Sequence, residues 1–397
     1  HSFAFCEGIS RFVQPVGQAG RASAGPKPRP ARFTSGRRRA SVAATAGFGL
    51  GTERLVAQPE GLVAGAVGLA DFLCPVRVAK EFGGHPLVAA RQGHIGAAMA
   101  LLDGGADIDQ VGAGDATSPL LMATINAQFD LAMLLVERGA DPNLAATING
   151  VAPLWATINA EWQPRTRFPQ PQQRELQQAT YLDVMAALLE AGADPDVRLT
   201  RHPWYMVYSG CGNRNCGLVD TEGSTAFWRA AYATDLPAMR LLVTHGADSD
   251  IPTKAPPPRR ARRGTTAEND DESTVPAVLP ATPGFWVATD LTTRGPAPSG
   301  LPPFKEGDPG VYPIHAASGV GYGEGFAGNA HRHAPDAWLA TVQYLIELGA
   351  NVSQRDQNGY NAIHHAAARG HNELILYLVE QGGDVTAVSR RGQTTAD

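Results

Sequence analysis

The chain has 397 residues, 43% of them hydrophobic and 18% charged, with 44 Gly, 30 Pro and a formal net charge of −5. This balance lacks the basic excess of a nucleic-acid-binding domain and the strong acidity of a solvating tail, so no nucleic-acid partner is expected. The best apolar run, residues 61–70, stops at Asp71, well short of the roughly 18 residues of a membrane span, and no membrane insertion is expected.

Residues 1–75 differ from the remainder. The first fifty hold eight Arg or Lys, including Arg37, Arg38 and Arg39, against the single acid Glu7, and they show no helical periodicity. Such a segment reads as disordered, as a targeting or transit segment, or as a spurious upstream extension. A narrower reading makes Leu62–Ala70 the apolar core of an export signal, so the compartment stays open between cytoplasm and export.

From residue 76 onward two short signatures alternate. The first is an opening: His85-Pro86-Leu87, Ser118-Pro119-Leu120, Ala152-Pro153-Leu154, Thr225-Ala226-Phe227, Tyr312-Pro313-Ile314-His315 and Asn361-Ala362-Ile363-His364. Where Pro is present it falls at an early helical position, where its missing N–H costs nothing. The second is a stop: Gly105-Ala106-Asp107, Gly139-Ala140-Asp141, Gly192-Ala193-Asp194, Gly246-Ala247-Asp248, Gly349-Ala350-Asn351 and Gly382-Gly383-Asp384. Each stop follows an amphipathic run such as Leu134-Leu135-Val136-Glu137-Arg138. The Gly therefore reads as a left-handed helix terminator and the Asp as turn chemistry.

Between opening and stop lie Ala pairs (Ala89-Ala90, Ala230-Ala231, Ala316-Ala317, Ala366-Ala367) and the turns Gly93-His94 and Gly370-His371. Taken together these motifs resemble the ankyrin repeat over residues 84–397. The resemblance implies an all-α solenoid of about six helix-turn-helix repeats with hairpin loops, and a protein-binding scaffold rather than an enzyme. It implies a concave face of first helices and hairpin tips as the docking surface, and structural hydrogen bonds for His315 and His364. The whole pattern also looks like ankyrin proteins of environmental bacteria. Arg391–Asp397 reads as the opening of a further repeat, with no polar capping repeat after it.

The stops are spaced by 34, 53, 54, 103 and 33 residues from Gly105 onward, so three repeats carry insertions, near 161–179, 201–220 and 254–310. The first sits between the two helices of the third repeat and contains Trp162, which either anchors a partner or packs on its own repeat. The second lengthens the hairpin into the fourth repeat and carries Trp204, Tyr205, Tyr208 and Arg214, the leading partner-contact candidates, with packing on neighbouring repeats as the alternative. The third opens with Pro256-Pro257-Pro258-Arg259-Arg260-Ala261-Arg262-Arg263 and turns acidic at Glu268; it reads as a surface loop whose Phe285, Trp286 and Phe304 strap back onto the solenoid or dock elsewhere.

Two other features offer a second function class. Cys211 and Cys216 are spaced for a small disulfide loop, for two free thiols, or for two metal ligands that His202 and a distant His would have to complete. The fifth repeat holds a Gly-rich stretch, residues 319–333, whose Gly323, Gly325 and Gly328 match a dinucleotide fingerprint only as letters. No strand precedes them, and a flexible interhelical loop is expected. Its His331 and His333, with Glu324, are weak metal candidates. The alternative to a scaffold is thus a small-ligand, metal or redox site built from the Cys211/Cys216 finger and the His331/His333 loop. No cofactor is expected, and no nucleophile elbow, P-loop or carboxylate pair suggests catalysis. The partner is expected to be a protein bound by a monomer.

Overall fold

In the computed structural model residues 85–163, 173–203, 219–256, 299–321 and 333–396 are described, all within one unit spanning Val76–Asp397. Six helix pairs follow in chain order among these residues. They are α1 (Pro86–Gln92) and α2 (Ile95–Asp103), α3 (Pro119–Ile125) and α4 (Phe129–Glu137), and α5 (Pro153–Glu161) and α6 (Tyr181–Glu190). The second three are α7 (Ala226–Tyr232) and α8 (Leu236–Thr244), α9 (Pro313–Ala317) and α10 (Trp338–Glu347), and α11 (Ala362–Arg369) and α12 (Asn372–Glu380). First helices stack on first helices in sequence order and, from α4 onward, second helices on second.

Local chemistry starts and stops these helices as the sequence requires. Ser118, Thr225 and Asn361 each accept a backbone N–H from the third helical residue, and Pro occupies the first turn of α1, α3, α5 and α9. Every stop is a Schellman turn. The six glycines have φ between +84° and +100°, and the residue after each donates to a carbonyl five residues back, as in Ala140 to Leu135 at 3.0 Å and Ala247 to Leu242 at 3.1 Å. The Asp or Asn that follows accepts from the backbone two residues on in all six repeats.

The turn between paired helices divides the array. Gly93 and Gly370 supply the left-handed residue in the first and last pairs, whereas Ala127 (φ 55°) and Thr234 (φ 51°) do so in the second and fourth. A β-branched residue there is strained. Thr234 is held by the fifth repeat: its hydroxyl donates to the Ala334 carbonyl at 3.2 Å and its carbonyl accepts from Thr341 at 3.3 Å.

The main core runs the length of the stack, from Ala89 and Leu101 through Phe129, Met185, Phe227 and Val342 to Leu378. Two satellite clusters lie beside it: Leu121, Trp155 and Leu199 in one, Trp228, Tyr232 and Val311 in the other. They join first helices to the hairpins that follow, as expected beneath long loops.

A set of glycines that the repeat signatures do not single out fixes how closely the hairpins stack. A Cβ on Gly150, Gly223 or Gly359 would lie 2.9, 2.9 or 3.1 Å from the backbone nitrogen of Thr200, Lys254 or Arg390 in the next hairpin, and all three have φ between +70° and +82°. Those same nitrogens donate to the carbonyls of Asn149, Glu222 and Asn358.

Candidate interaction surface

The expected concave face is closed in the middle of the array. Every residue of α5 from Pro153 to Ala160, all of α7 and all of α9 are buried. One column of first-helix side chains explains part of this closure. Trp155 donates its indole N–H to Ser224 at 3.2 Å, Trp228 donates to the Val311 carbonyl at 2.8 Å, and His315 Nε2 lies 3.0 Å from the Gln354 carbonyl. In each case a ring nitrogen reaches the hairpin of the next repeat, so two tryptophans do the work that histidine does in the fifth. His315 also accepts the Tyr312 backbone N–H on Nδ1, which leaves its proton on Nε2. The structural role expected for it is the one it has.

The first insertion separates α5 from α6, and its ends grip different repeats. At its start Trp162 donates to Asp235 at 2.7 Å and meets the Tyr181 ring edge-on at 6.5 Å. Beneath it Arg229, fully buried, donates from Nε to Asn159 at 3.0 Å and from Nη2 to the Trp162 carbonyl at 2.9 Å, while Nη1 has no hydrogen-bond partner among the described residues. Burial pulls the Arg229 pKa down to about 10, and burial, aided by Asp235, pushes that of the Tyr181 phenol up. At its end, Gln178 and Ala179 donate to the Asp130 carboxylate of the second repeat at 2.9 and 2.8 Å. Trp162 is thus spent on the third and fourth repeats, which favours the packing alternative over a free anchor.

The second insertion leaves and returns beside a half-buried histidine. His202 Nδ1 accepts the Thr221 backbone N–H at 3.2 Å and lies 3.0 Å from its hydroxyl, with the Asp220 carboxylate at 4.0 Å. Its Nε2 is buried without a hydrogen-bond partner among the described residues, and burial lowers the His202 pKa. Trp204, Tyr205, Tyr208, Cys211, Arg214 and Cys216 lie outside the described residues, as does His331.

His333, the described member of the fifth-repeat loop, has both ring nitrogens engaged: Nδ1 lies 3.2 Å from the Ala334 carbonyl and Nε2 lies 2.6 Å from Arg369 Nη2. Its ring packs at 4.5 Å on Trp338, which also carries Arg369 over its face at 4.0 Å. Here too the end of an interhelical loop bridges the neighbouring repeats, backward to Thr234 and forward to Arg369. Among the described residues no group of three or more His, Cys, Asp or Glu is placed to hold a metal, and no helix is long and apolar enough to cross a membrane.

The third insertion is closed at its root. Thr253 and Val311 pair through N–H to carbonyl at 3.0 Å, and Ala255 donates to Asp308 at 2.7 Å, around an antiparallel bridge between Lys254 and Pro309. Its return arm reaches the last hairpin, where Arg390 lies 5.7 Å from the Phe304 ring. Of the straps expected from Phe304, Phe285 and Trp286, the first is present; the other two, and the basic block 259–263, lie outside the described residues.

Stacked helical pairs joined by hairpins define a repeat solenoid, a class whose members present surfaces to other molecules. The family model for ankyrin repeats in many copies matches residues 345–397, and that part of the chain consists of ankyrin repeats. An ankyrin repeat-containing protein of Schizosaccharomyces pombe is 34% identical over 67 residues, 15% of this chain and 32% of that one. Mouse protein phosphatase 1 regulatory subunit 27 is 32% identical over 59 residues, 15% of this chain and 38% of the other. The Notch-regulated ankyrin repeat-containing protein of Xenopus tropicalis is 35% identical over 49 residues, covering 12% and 43%. The chain therefore spans less than half the length of these relatives, and none of the three is bacterial. The crystal structure of the human ASB11 ankyrin repeat domain aligns with a TM-score of 0.43 and 16% identity over 79% of this chain and 90% of that one.

Proposed function

We propose that the protein is a scaffold that binds a protein partner along its hairpin edge, with the 201–220 insertion as the principal contact. Ankyrin repeats are in general protein–protein interaction modules. The observation that carries the finer reading is the burial of α5, α7 and α9, which removes the first-helix face of three repeats from docking and leaves the hairpin side for recognition. The 201–220 insertion springs from that side, its root held by His202 on Thr221. Trp204, Tyr205 and Tyr208 offer rigid amphipathic area and Arg214 a charge, the residue types that concentrate binding energy at interfaces. Trp162 is not among the proposed contacts, because its indole is engaged by Asp235. No catalytic role is proposed.

The test compares the proteins retained by wild type and by the triple variant Trp204→Ala, Tyr205→Ala, Tyr208→Ala, with circular dichroism and thermal melting showing both to be folded. Loss of specifically retained proteins from the triple variant supports the reading. Retention of the same proteins at the same level by both overturns it.

A further inference from the structure

The return arm of the third insertion occupies the last hairpin in the manner of a bound peptide. Residues 301–305 run without regular secondary structure. Arg390 is fixed by its own Nε, which donates to the Gln357 carbonyl at 2.9 Å, and its Nη1 donates to two successive carbonyls of the arm, Leu301 at 3.2 Å and Pro302. The Leu301 side chain enters a notch that exists because residue 359 is glycine: a Cβ there would lie 3.0 Å from Leu301 Cδ1. Two residues beyond Pro302, Phe304 presents its ring to the same guanidinium at 5.7 Å.

Each component suits a Leu-Pro-Pro-aromatic sequence. The two prolines have no N–H and offer carbonyls alone, and a guanidinium supplies donors in a fixed fork. Prolines also limit the conformations lost on binding, which is why extended proline-containing segments are favourable ligands. Pro302 and Pro303 are exposed while Leu301 and Phe304 are half-buried, so the two side chains in contact are three residues apart, the spacing that shares one face of a polyproline-type segment.

We propose that the last two hairpins, which meet at Gly359 and Arg390, form a binding site for an extended Leu-Pro-Pro-aromatic segment, occupied in cis by Leu301–Phe304 and opened when a partner carrying such a segment displaces the arm. The tether between the bridge at Lys254–Pro309 and Phe304 is short, so the arm's effective concentration is of the order of millimolar. A free peptide competes poorly with it, and weakening the arm exposes the site. This deepens the scaffold reading by naming one partner class, but it concerns a different hairpin from the 201–220 insertion.

The probe is a fluorescently labelled peptide of residues 299–306, Ser-Gly-Leu-Pro-Pro-Phe-Lys-Glu, followed by anisotropy against the full chain. The double variant L301A/F304A is expected to bind it at least about ten-fold more tightly than wild type. Adding Arg390→Met is expected to abolish that gain, and a peptide with Leu and Phe replaced by Ala is expected not to bind. A folded double variant that binds the peptide no better than wild type overturns the proposal, as does equal binding of the Ala-substituted peptide. If the double variant does not fold, Phe304→Ala alone, which removes one half-buried ring, is read in the same way. Size-exclusion chromatography separates a partner site from exchange of the arm between two copies: concentration-dependent dimers of wild type overturn the cis assignment. Failure of this test leaves the comparison at Trp204, Tyr205 and Tyr208 standing, and the reverse.

Discussion

Trp162 and Asp235 are joined across the junction of the third and fourth repeats by an indole N–H bond of 2.7 Å, and the carboxylate also caps α8 by accepting from Ala238 at 3.1 Å. One buried acid thus fixes where the first insertion begins and where the fourth repeat's second helix starts. Removing it with Asp235→Ala loses a cap and an acceptor and leaves the indole and nearby Arg229 without that carboxylate, a combined cost of about 3 kcal/mol. Trp162→Phe keeps the ring and loses one hydrogen bond, about 1 kcal/mol. Urea unfolding of both, and of the double variant, checks this; additive costs would sink the coupling.

Arg229 tests whether a buried charge stabilises the junction or only organises it. Its Nη1 has no partner among the described residues, and burial draws its pKa down to about 10, so the charged form is held at a cost. Arg229→Met fills most of the volume and removes that cost, though it leaves the Asn159 and Trp162 acceptors unpaired; the expected loss is about 1–2 kcal/mol. Arg229→Ala adds a cavity and should cost about 4 kcal/mol. Equal losses in denaturant unfolding would show that the charge, not the packing, is what matters.

Two classes of left-handed glycine should respond differently to Ala. Gly139 has φ +84° with nothing within 4 Å of an added Cβ, so Gly139→Ala carries backbone strain alone, about 1 kcal/mol. Gly223 has φ +81° and would place Cβ 2.9 Å from the Lys254 nitrogen, so Gly223→Ala must also push two hairpins apart, at about 3 kcal/mol. Thermal melts of the pair decide it, and similar shifts would mean that the hairpins yield freely.

The helix pairs were legible because their signals are local: a cap, an early Pro and a Gly-Ala-Asp stop act within a few residues, and all six pairs lie where those signals put them. The three insertions were legible as gaps in a fixed spacing. What joins repeats was not. Nothing near Asp130 announces that it receives the end of an insertion 48 residues away, and Arg390 gives no sign that it reads the carbonyls of Leu301 and Pro302. Trp155 and Trp228 could have been found, since each stands at the position that His315 holds in the fifth repeat. The closed first-helix face could not, because short first helices give no periodicity strong enough to distinguish a face open to solvent from one covered.

Acid sensitivity should be concentrated at the junction of the fifth and sixth repeats. His315 is fully buried, with Tyr312 beside it at the N-cap of its helix and His364, His365 and Asp356 facing it from the last repeat; Asp356 accepts from the Asn358 and Tyr360 backbones and from His365. Burial lowers the His315 pKa to about 4, against the nearby carboxylate, and burial likewise lowers that of His364. Because the folded value lies below the unfolded one of about 6.5, the unfolded chain takes up the proton first as pH falls. Stability is therefore intact above about pH 6.5 and declines toward pH 4, by about 3 kcal/mol for His315 alone. Asp356 acts in a lower window: its pKa is held below the ordinary value of 3.8, so its contribution is lost only as pH falls further. His315→Gln, which does not titrate, should be less stable at pH 7 and yet lose less between pH 7 and pH 5 than wild type. Urea midpoints at the two pH values measure the slope. A slope unchanged by the substitution would assign the acid sensitivity to other groups, and hydrogen exchange confined to α11 and α12 at pH 5 would place the first opening at this junction.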